Sequence, residues 1–331
     1  MTHNLHDKPL INVLISGSTD ISRLNPLSSA GKDPDSTFLT PTVDAEIIQN
    51  GKVISTDEPP MTPDGIPTPS IIAFSALNAM EIQSLIVNAG LKFKPKASYY
   101  ETWLEPAKAG NMEVALPQIK SALSAGRDIF RLLRNYRGPI MISESVPGGT
   151  TTAQMVMNLW GKEFKSSSSM KHNPVDLKER ICKEAVDRHG IQSDPIKAVG
   201  LGGDYMQAIT LSFLSNVDDE IVYLAGGTQM AVVWYIASEL GYHMDNVYLC
   251  TTDLVMKDSR EQIGAIVRPD HILVSRFNYK LSEYKGIQLY AEDNVREGAG
   301  LGGSTYFALQ TMDDKTLMKR VDSFYSKFIH P

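Results

Sequence analysis

Cysteine is scarce in this chain: Cys182 and Cys250 are the only two in 331 residues, and they lie far apart. No disulfide framework follows, and no CxxC or clustered His/Cys spacing marks a zinc site. Two isolated thiols read as small buried hydrophobes in a reducing compartment, so a cytoplasmic location is expected. Basic runs are missing too. The formal net charge is -6, from 32 Lys and Arg against 38 Asp and Glu, which argues against nucleic acid as a partner. No apolar run is long enough to span a bilayer, so no membrane partner is expected. The polar start, Met1 to Lys8 with His3 and His6, has no apolar core of an export signal. The two common phosphate signatures are also absent: there is no GxxxxGK followed by Ser or Thr, and no GxGxxG opening a helix after a strand.

What is present is 42% hydrophobic residues. The length suits about two domains, or one large α/β unit. One unit over 1–331 is expected.

The stretch from Gly138 to Trp160 organises the chain. A short apolar run, Ile140 to Ile142, is followed by Ser143-Glu144-Ser145, then Pro147-Gly148-Gly149, Thr150-Thr151-Thr152, and Met155, Met157, Leu159 and Trp160. This reads as strand, glycine turn, helix. The threonines supply an N-cap and hydroxyl donors, and the first helical turn points N–H groups and a positive dipole end at the turn. Such a turn can hold a phosphate. The same spelling also serves an ordinary βα corner. Glu144, just before the turn, is placed to face a substrate.

Elsewhere strands and helices alternate. Leu10 to Ile15 reads as a buried strand ending in Ser16-Gly17-Ser18-Thr19. From Asp20 to Pro69 prolines, among them Pro26, Pro34, Pro41, Pro59, Pro60, Pro63, Pro67 and Pro69, are expected to break long elements. Only a short helix over Val43 to Gln49 is expected there, with an ordered, proline-stiffened segment from Met61 to Pro69. A helix follows to about Met80, a strand over Ser84 to Ala89, and a helix within Ala115 to Leu133. Ser166 to Ser169 reads as a loop. Asp176 to His189 reads as a helix with Leu177, Ile181 and Val186 inward. Gly202-Gly203-Asp204 precedes an apolar helix to Leu214. A strand over Glu220 to Leu224 then meets a second glycine turn, Gly226-Gly227-Thr228, with a helix from Gln229 to Leu240. Val247 to Thr251, Ile272 to Ser275 and Ile287 to Tyr290 read as further strands. Helices follow from about Ser304 and over Asp314 to Phe328. This alternation predicts an α/β fold: a mostly parallel Rossmann-like sheet with helices on both faces. Ligands of such sheets sit beyond the carboxyl ends of the strands, where both Gly-Gly-Thr turns fall.

Glu297 opens a loop with four glycines, Gly298, Gly300, Gly302 and Gly303. A carboxylate with so little bulk around it suits a base that approaches a flat ring; a capping or salt-bridged glutamate is the plainer alternative.

Three stretches together resemble the nicotinate-nucleotide:dimethylbenzimidazole phosphoribosyltransferase family of cobalamin assembly. They are Glu144 to Thr152, then Gly202-Gly203 through Thr228, and Glu297-Gly298-Ala299-Gly300, in the family's order over roughly the C-terminal two thirds. The segment TPDGIPTP and the run SESVPGGTTTAQM are similar to an archaeal and cyanobacterial subgroup. The resemblance implies transfer of phosphoribose from nicotinate mononucleotide to dimethylbenzimidazole or a related base, and a homodimer with a small helical lobe built from both chain ends. It implies Glu297 as general base, Glu144 as the second catalytic carboxylate, and no metal or other cofactor. It assigns substrate binding to Gly148, Gly149, Thr150, Thr151, Thr152, Gly202, Gly203, Asp204, Gly226, Gly227, Thr228, Gly298 and Gly300. Departures fall on the acceptor side. The family's Lys-Pro-Pro-Gly-Ser-Leu-type segment is absent, Ala299 stands for a threonine, Gly226-Gly227 for Asp-Gly, and Tyr205 for an acidic residue. A different benzimidazole, a purine or another azole is therefore open as acceptor. A non-catalytic mononucleotide carrier is the alternative. A dinucleotide oxidoreductase built on Gly200-Leu201-Gly202 lacks a preceding strand and a ribose-binding acid.

Overall fold

The computed structural model describes residues 9–329 except 25, 29, 32, 110–113 and 169–172. His3, His6 and Ser169 lie outside the described residues. Seven strands are found among them: β1 (Ile11–Ser16), β2 (Gln83–Asn88), β3 (Tyr100–Glu101), β4 (Ile140–Ser145), β5 (Val222–Ala225), β6 (Val247–Thr252) and β7 (Ile272–Ser275). They form one sheet in the order β3-β2-β1-β4-β5-β6-β7, every neighbouring pair parallel. The chain starts in the middle, builds one flank, then crosses back to build the other. The switch point lies between β1 and β4, where Ile15 is in register with Glu144 and Ser16 with Ser145.

The helices among the described residues are α1 (Pro34–Asn50), α2 (Ser70–Ala79), α3 (Ile119–Leu133), α4 (Gly149–Leu159), α5 (Val175–His189) and α6 (Pro195–Gly202). They continue with α7 (Tyr205–Leu214), α8 (Thr228–Glu239), α9 (Asp253–Gly264), α10 (Lys285–Gln288), α11 (Leu301–Thr311) and α12 (Asp314–Ile329). Strand alternation divides them between two faces. Val13, Ile15, Ile140, Ile142, Val222 and Leu224 pack with α3, α4, α7 and α8. Leu14, Met141, Tyr223 and Cys250 face Ala45 and Ile48 of α1, Ala73 and Leu77 of α2, and Phe307 of α11. Both cysteines are free and buried.

A second apolar cluster forms the smaller lobe. Val43 and Ile47 of α1 and Ile71 and Ile72 of α2 meet Tyr290, Leu301, Leu317, Val321 and Phe324 from the C-terminal third. Chain ends distant in sequence thus share one core, as the sequence resemblance implied.

Three expectations are corrected. α1 runs through Pro41 rather than starting at Val43. Asp33 caps it, its carboxylate accepting from the N–H groups of Asp35 and Ser36, and Gly51 closes it. One proline removes one helical hydrogen bond, and burial of Val43, Ala45, Ile47 and Ile48 on two cores outweighs that loss. Residues Ile287 to Tyr290 are helical, not a strand: Ile287 and Tyr290, three apart, both point into the lobe, and the Tyr290 hydroxyl donates to the Pro67 carbonyl at 2.6 Å. The run before Gly203 is a helix, α6, capped by Asp194 with Pro195 in its first turn. The glycines Gly200 and Gly202 therefore sit at a helix end, which removes the strand–turn–helix context a dinucleotide site needs. The inner face of α5 is Lys178, Ile181, Cys182 and Ala185; Leu177 and Val186 are only half-buried.

Candidate active site

A cleft of about 880 Å³, counted to its open mouth, lies beyond the carboxyl ends of β1, β4, β5 and β6. Its walls come from the turn after β4, the turn after β5, the loop around Glu297, and the small lobe.

The β4 turn is tightly determined. Gly148 caps α4 at φ 83°, a conformation that disfavours a side chain. The Thr19 hydroxyl, in the loop after β1, donates to the Pro147 carbonyl at 2.7 Å. The N–H of Gly149 donates to Val146, and those of Thr151 and Thr152 to Gly148. That leaves the Thr150 N–H outside the turn's own network. Beside it stands a cation that the sequence reading did not select. Lys178 of α5 is 1% exposed. Its ammonium donates to the Ser167 carbonyl, to the Ser166 hydroxyl at 3.2 Å and to the Thr150 hydroxyl at 3.3 Å. Burial pushes its pKa down to about 8. The signal for it was its phase: Lys178 shares a helical face with Ile181, Cys182 and Ala185 and is the charged member of that face.

The two glutamates meet across the β5 turn. Glu144 is 7% exposed and its Oε2 accepts from the N–H of Val146 at 3.0 Å. Glu297 accepts at Oε1 from Gly302 at 2.9 Å and Gly298 at 3.3 Å, while its buried Oε2 has no hydrogen-bond partner. A Cβ on Gly226 would stand 3.6 Å from the Glu144 Cγ, and one on Gly227 3.8 Å from the Glu297 Cβ, ordinary contact distances that place both glutamates beside the β5 turn. Burial first, then the charge of Glu297, pushes Glu144 up to about 8. Burial likewise pushes Glu297 up to about 8, against the N–H groups that favour its anion.

Of the residues the resemblance assigned, Glu144, Gly148, Gly149, Thr150, Gly227, Glu297 and Gly298 line the cleft. Others stand behind it. The Thr152 hydroxyl donates to Asp204 at 2.6 Å, and Asp204 caps α7 through the Gln207 N–H; burial raises its pKa to about 6. Thr228 exchanges a hydrogen bond with Ser167 at 3.0 Å. Thr151 is fully buried. Gly202 packs on Met155 and Leu159, Gly203 ends α6, Gly226 lies under Met230, and Gly300 lets α11 approach Ser143. Three further lining residues were not selected from sequence: Asp44 of α1, Gln229 of α8, and Arg296, which donates to the Ser168 carbonyl and pairs with Asp258.

Among the described residues no group of three or more His, Cys, Asp or Glu side chains is arranged to hold a metal ion, and no helix is long and apolar enough to cross a membrane.

A fully parallel α/β sheet with buried carboxylates and a glycine-capped helix at its switch point defines a class. It is the fold of nicotinate-nucleotide-dimethylbenzimidazole phosphoribosyltransferase from Thermus thermophilus, matched with a TM-score of 0.63 and 11% identity over 95% of this chain and 82% of that one. A second structure, CobT from the same organism, matches with a TM-score of 0.60 and 12% identity over 95% and 83% of the two chains. At sequence level the chain belongs to the UPF0284 family. It is 38% identical to UPF0284 protein TV0153 of Thermoplasma volcanium over 318 residues, 96% of this chain and 94% of the relative. It is 33% identical to Ta0078 of Thermoplasma acidophilum over 320 residues, covering 96% and 93%, and 33% identical to MK0224 of Methanopyrus kandleri over 334 residues, covering 96% and 88%. No family model matches.

Proposed function

We propose that this protein is a phosphoribosyltransferase of cobalamin assembly, moving phosphoribose from nicotinate mononucleotide to a benzimidazole-type base. The observation that carries the reading is the pair Glu144 and Glu297, one buried and one half-buried carboxyl at one cleft, with a glycine-capped helix in its wall and the buried Lys178 behind Thr150.

The phosphate would sit at the α4 terminus, held by the Thr150 N–H and hydroxyl and by the field of Lys178. The C1′–N bond then breaks, its electron pair leaving on the nicotinate nitrogen, and oxocarbenium character grows on the ribose. With both carboxyls ionised, Glu144 offsets that charge and Glu297 is left able to take a proton. The azole nitrogen bonds to C1′, and the azole N–H gives its proton to the carboxylate of Glu297. Nicotinate and the ribosylated azole phosphate leave. The remaining residues of the assigned set, Gly202 and Asp204 among them, then shape this site from behind. A homodimer is part of the proposal, as in the resembled family, and sedimentation tests it. Incubation with nicotinate mononucleotide and a panel of azoles tests the reaction itself: azole-dependent release of nicotinate supports transfer, while binding without release supports a carrier.

A further inference from the structure

The phosphoribosyl reading leaves one cleft carboxylate without a task. Asp44 on α1 is 3% exposed yet lines the cleft. Its Oδ1 accepts from the hydroxyls of Thr68 at 2.6 Å and Ser70 at 2.8 Å, and its Oδ2 from the hydroxyl of Ser145 at 2.7 Å. A carboxylate offers about four lone-pair positions, so these three bonds leave one acceptor position on Oδ2. Asp44 joins three pieces of chain: the small lobe, the proline-stiffened segment, and the end of β4 next to Glu144. On the same side Met61, Pro67 and Pro69 line the cleft with apolar groups, and a Cβ on Gly298 would stand 3.1 Å from the Pro69 ring, so this wall abuts the Glu297 loop. With phosphate at the α4 terminus and the reacting carbon between Glu144 and Glu297, the wall left for a flat acceptor is this one.

We infer that Asp44 selects the acceptor base: its Oδ2 accepts from a hydrogen-bond donor on the ring edge remote from the reacting nitrogen, so the substrate class is an azole bearing an N–H or O–H on that edge. The inference rests on the phosphoribosyl reading. A ring with only methyl groups there leaves that acceptor position unpaired, and sites built around a polar partner discriminate strongly against analogues that lack it.

The test compares 5-hydroxybenzimidazole with 5-methylbenzimidazole, near in size and different in the donor, and adds adenine. With wild-type protein and nicotinate mononucleotide, kcat/KM for the hydroxy compound is expected to exceed that for the methyl compound by roughly 10- to 100-fold. Asp44→Asn keeps the shape and is expected to bring that ratio close to one, with KM for the mononucleotide unchanged; Asp44→Glu, which displaces the carboxylate, gives the same reading should the asparagine variant not fold. A wild-type ratio near one, or a ratio that Asp44→Asn leaves alone while stability falls, makes Asp44 a structural tie and overturns the inference. Equilibrium binding of the same bases by calorimetry separates the two claims. If no base is ribosylated but the hydroxy compound still binds more tightly in an Asp44-dependent way, transfer fails and the base selection stands. If no azole binds, the selection fails too.

Discussion

The N–H of Ala299 donates to the main-chain carbonyl of Glu144 at 2.8 Å. That bond joins the loop carrying Glu297 directly to the strand end carrying Glu144, so two side chains distant in sequence are held at one point. Ala299 takes a positive φ of 51° to make it, a cost usually left to glycine. The loop's geometry is therefore set by the site and not by local preference.

Glu297→Gln keeps the shape and the two main-chain bonds at Oε1 but removes the base. Turnover is expected to fall by ~10²–10⁴-fold with mononucleotide binding nearly unchanged. Steady-state rates and calorimetry on one preparation check it. A joint fall in both would make Glu297 a ribose-contacting or structural residue, and unchanged turnover would move the base to Glu144.

The pH profile follows from the same carboxyls. A base that must lose its proton gives a kcat/KM that rises with pH and levels above about 8, and Glu297→Gln should erase that limb. Stability runs the other way. A carboxyl raised from its ordinary 4.5 to about 8 in the folded protein binds its proton more tightly folded than unfolded. Its contribution is full below about 4.5 and is lost as pH rises through about 8. The ligand-free protein should melt at a lower temperature at about pH 9 than at about pH 6, and Glu144→Gln should shrink that difference. A wild-type melting temperature that rises over this range would contradict the burial argument.

Lys178→Met removes a buried ammonium beside Thr150. The fold should persist, because the ammonium's desolvation cost goes with it. Mononucleotide affinity should drop by roughly 10- to 100-fold, the range for a charged hydrogen bond. Equal affinity for wild type and variant would place the phosphate elsewhere.

Gly149→Ala tests the α4 turn sterically. A Cβ there would lie 1.8 Å from the Gln229 Oε1, and Gln229 is buried. Such overpacking costs about 1–3 kcal/mol. Adding Gln229→Ala should recover part of it in chemical denaturation; no recovery would mean the strain lies in the backbone.

The parallel sheet and the two faces were legible because buried strands are short continuous apolar runs, such as Leu10 to Ile15, between helical periods. Glu144, Gly148 to Thr150 and Glu297 were legible because special backbone needs concentrate glycines. Asp44 was not. It sits in the part of α1 that the sequence does place in a helix, but nothing in that helix marks it out, and its partners Thr68, Ser70 and Ser145 are supplied by tertiary packing. Gln229 reads as an ordinary first-turn residue until Gly149 is brought against it. The β3 strand, two residues long, carries no period at all.

The central claim is transfer, and the most direct measurement follows nicotinate and ribosylated base together by chromatography as wild-type protein meets nicotinate mononucleotide with and without an azole acceptor. The account predicts nicotinate and azole riboside phosphate appearing in equal amounts, only when the azole is present. Nucleotide binding with no nicotinate released, or release that ignores the azole, would contradict it.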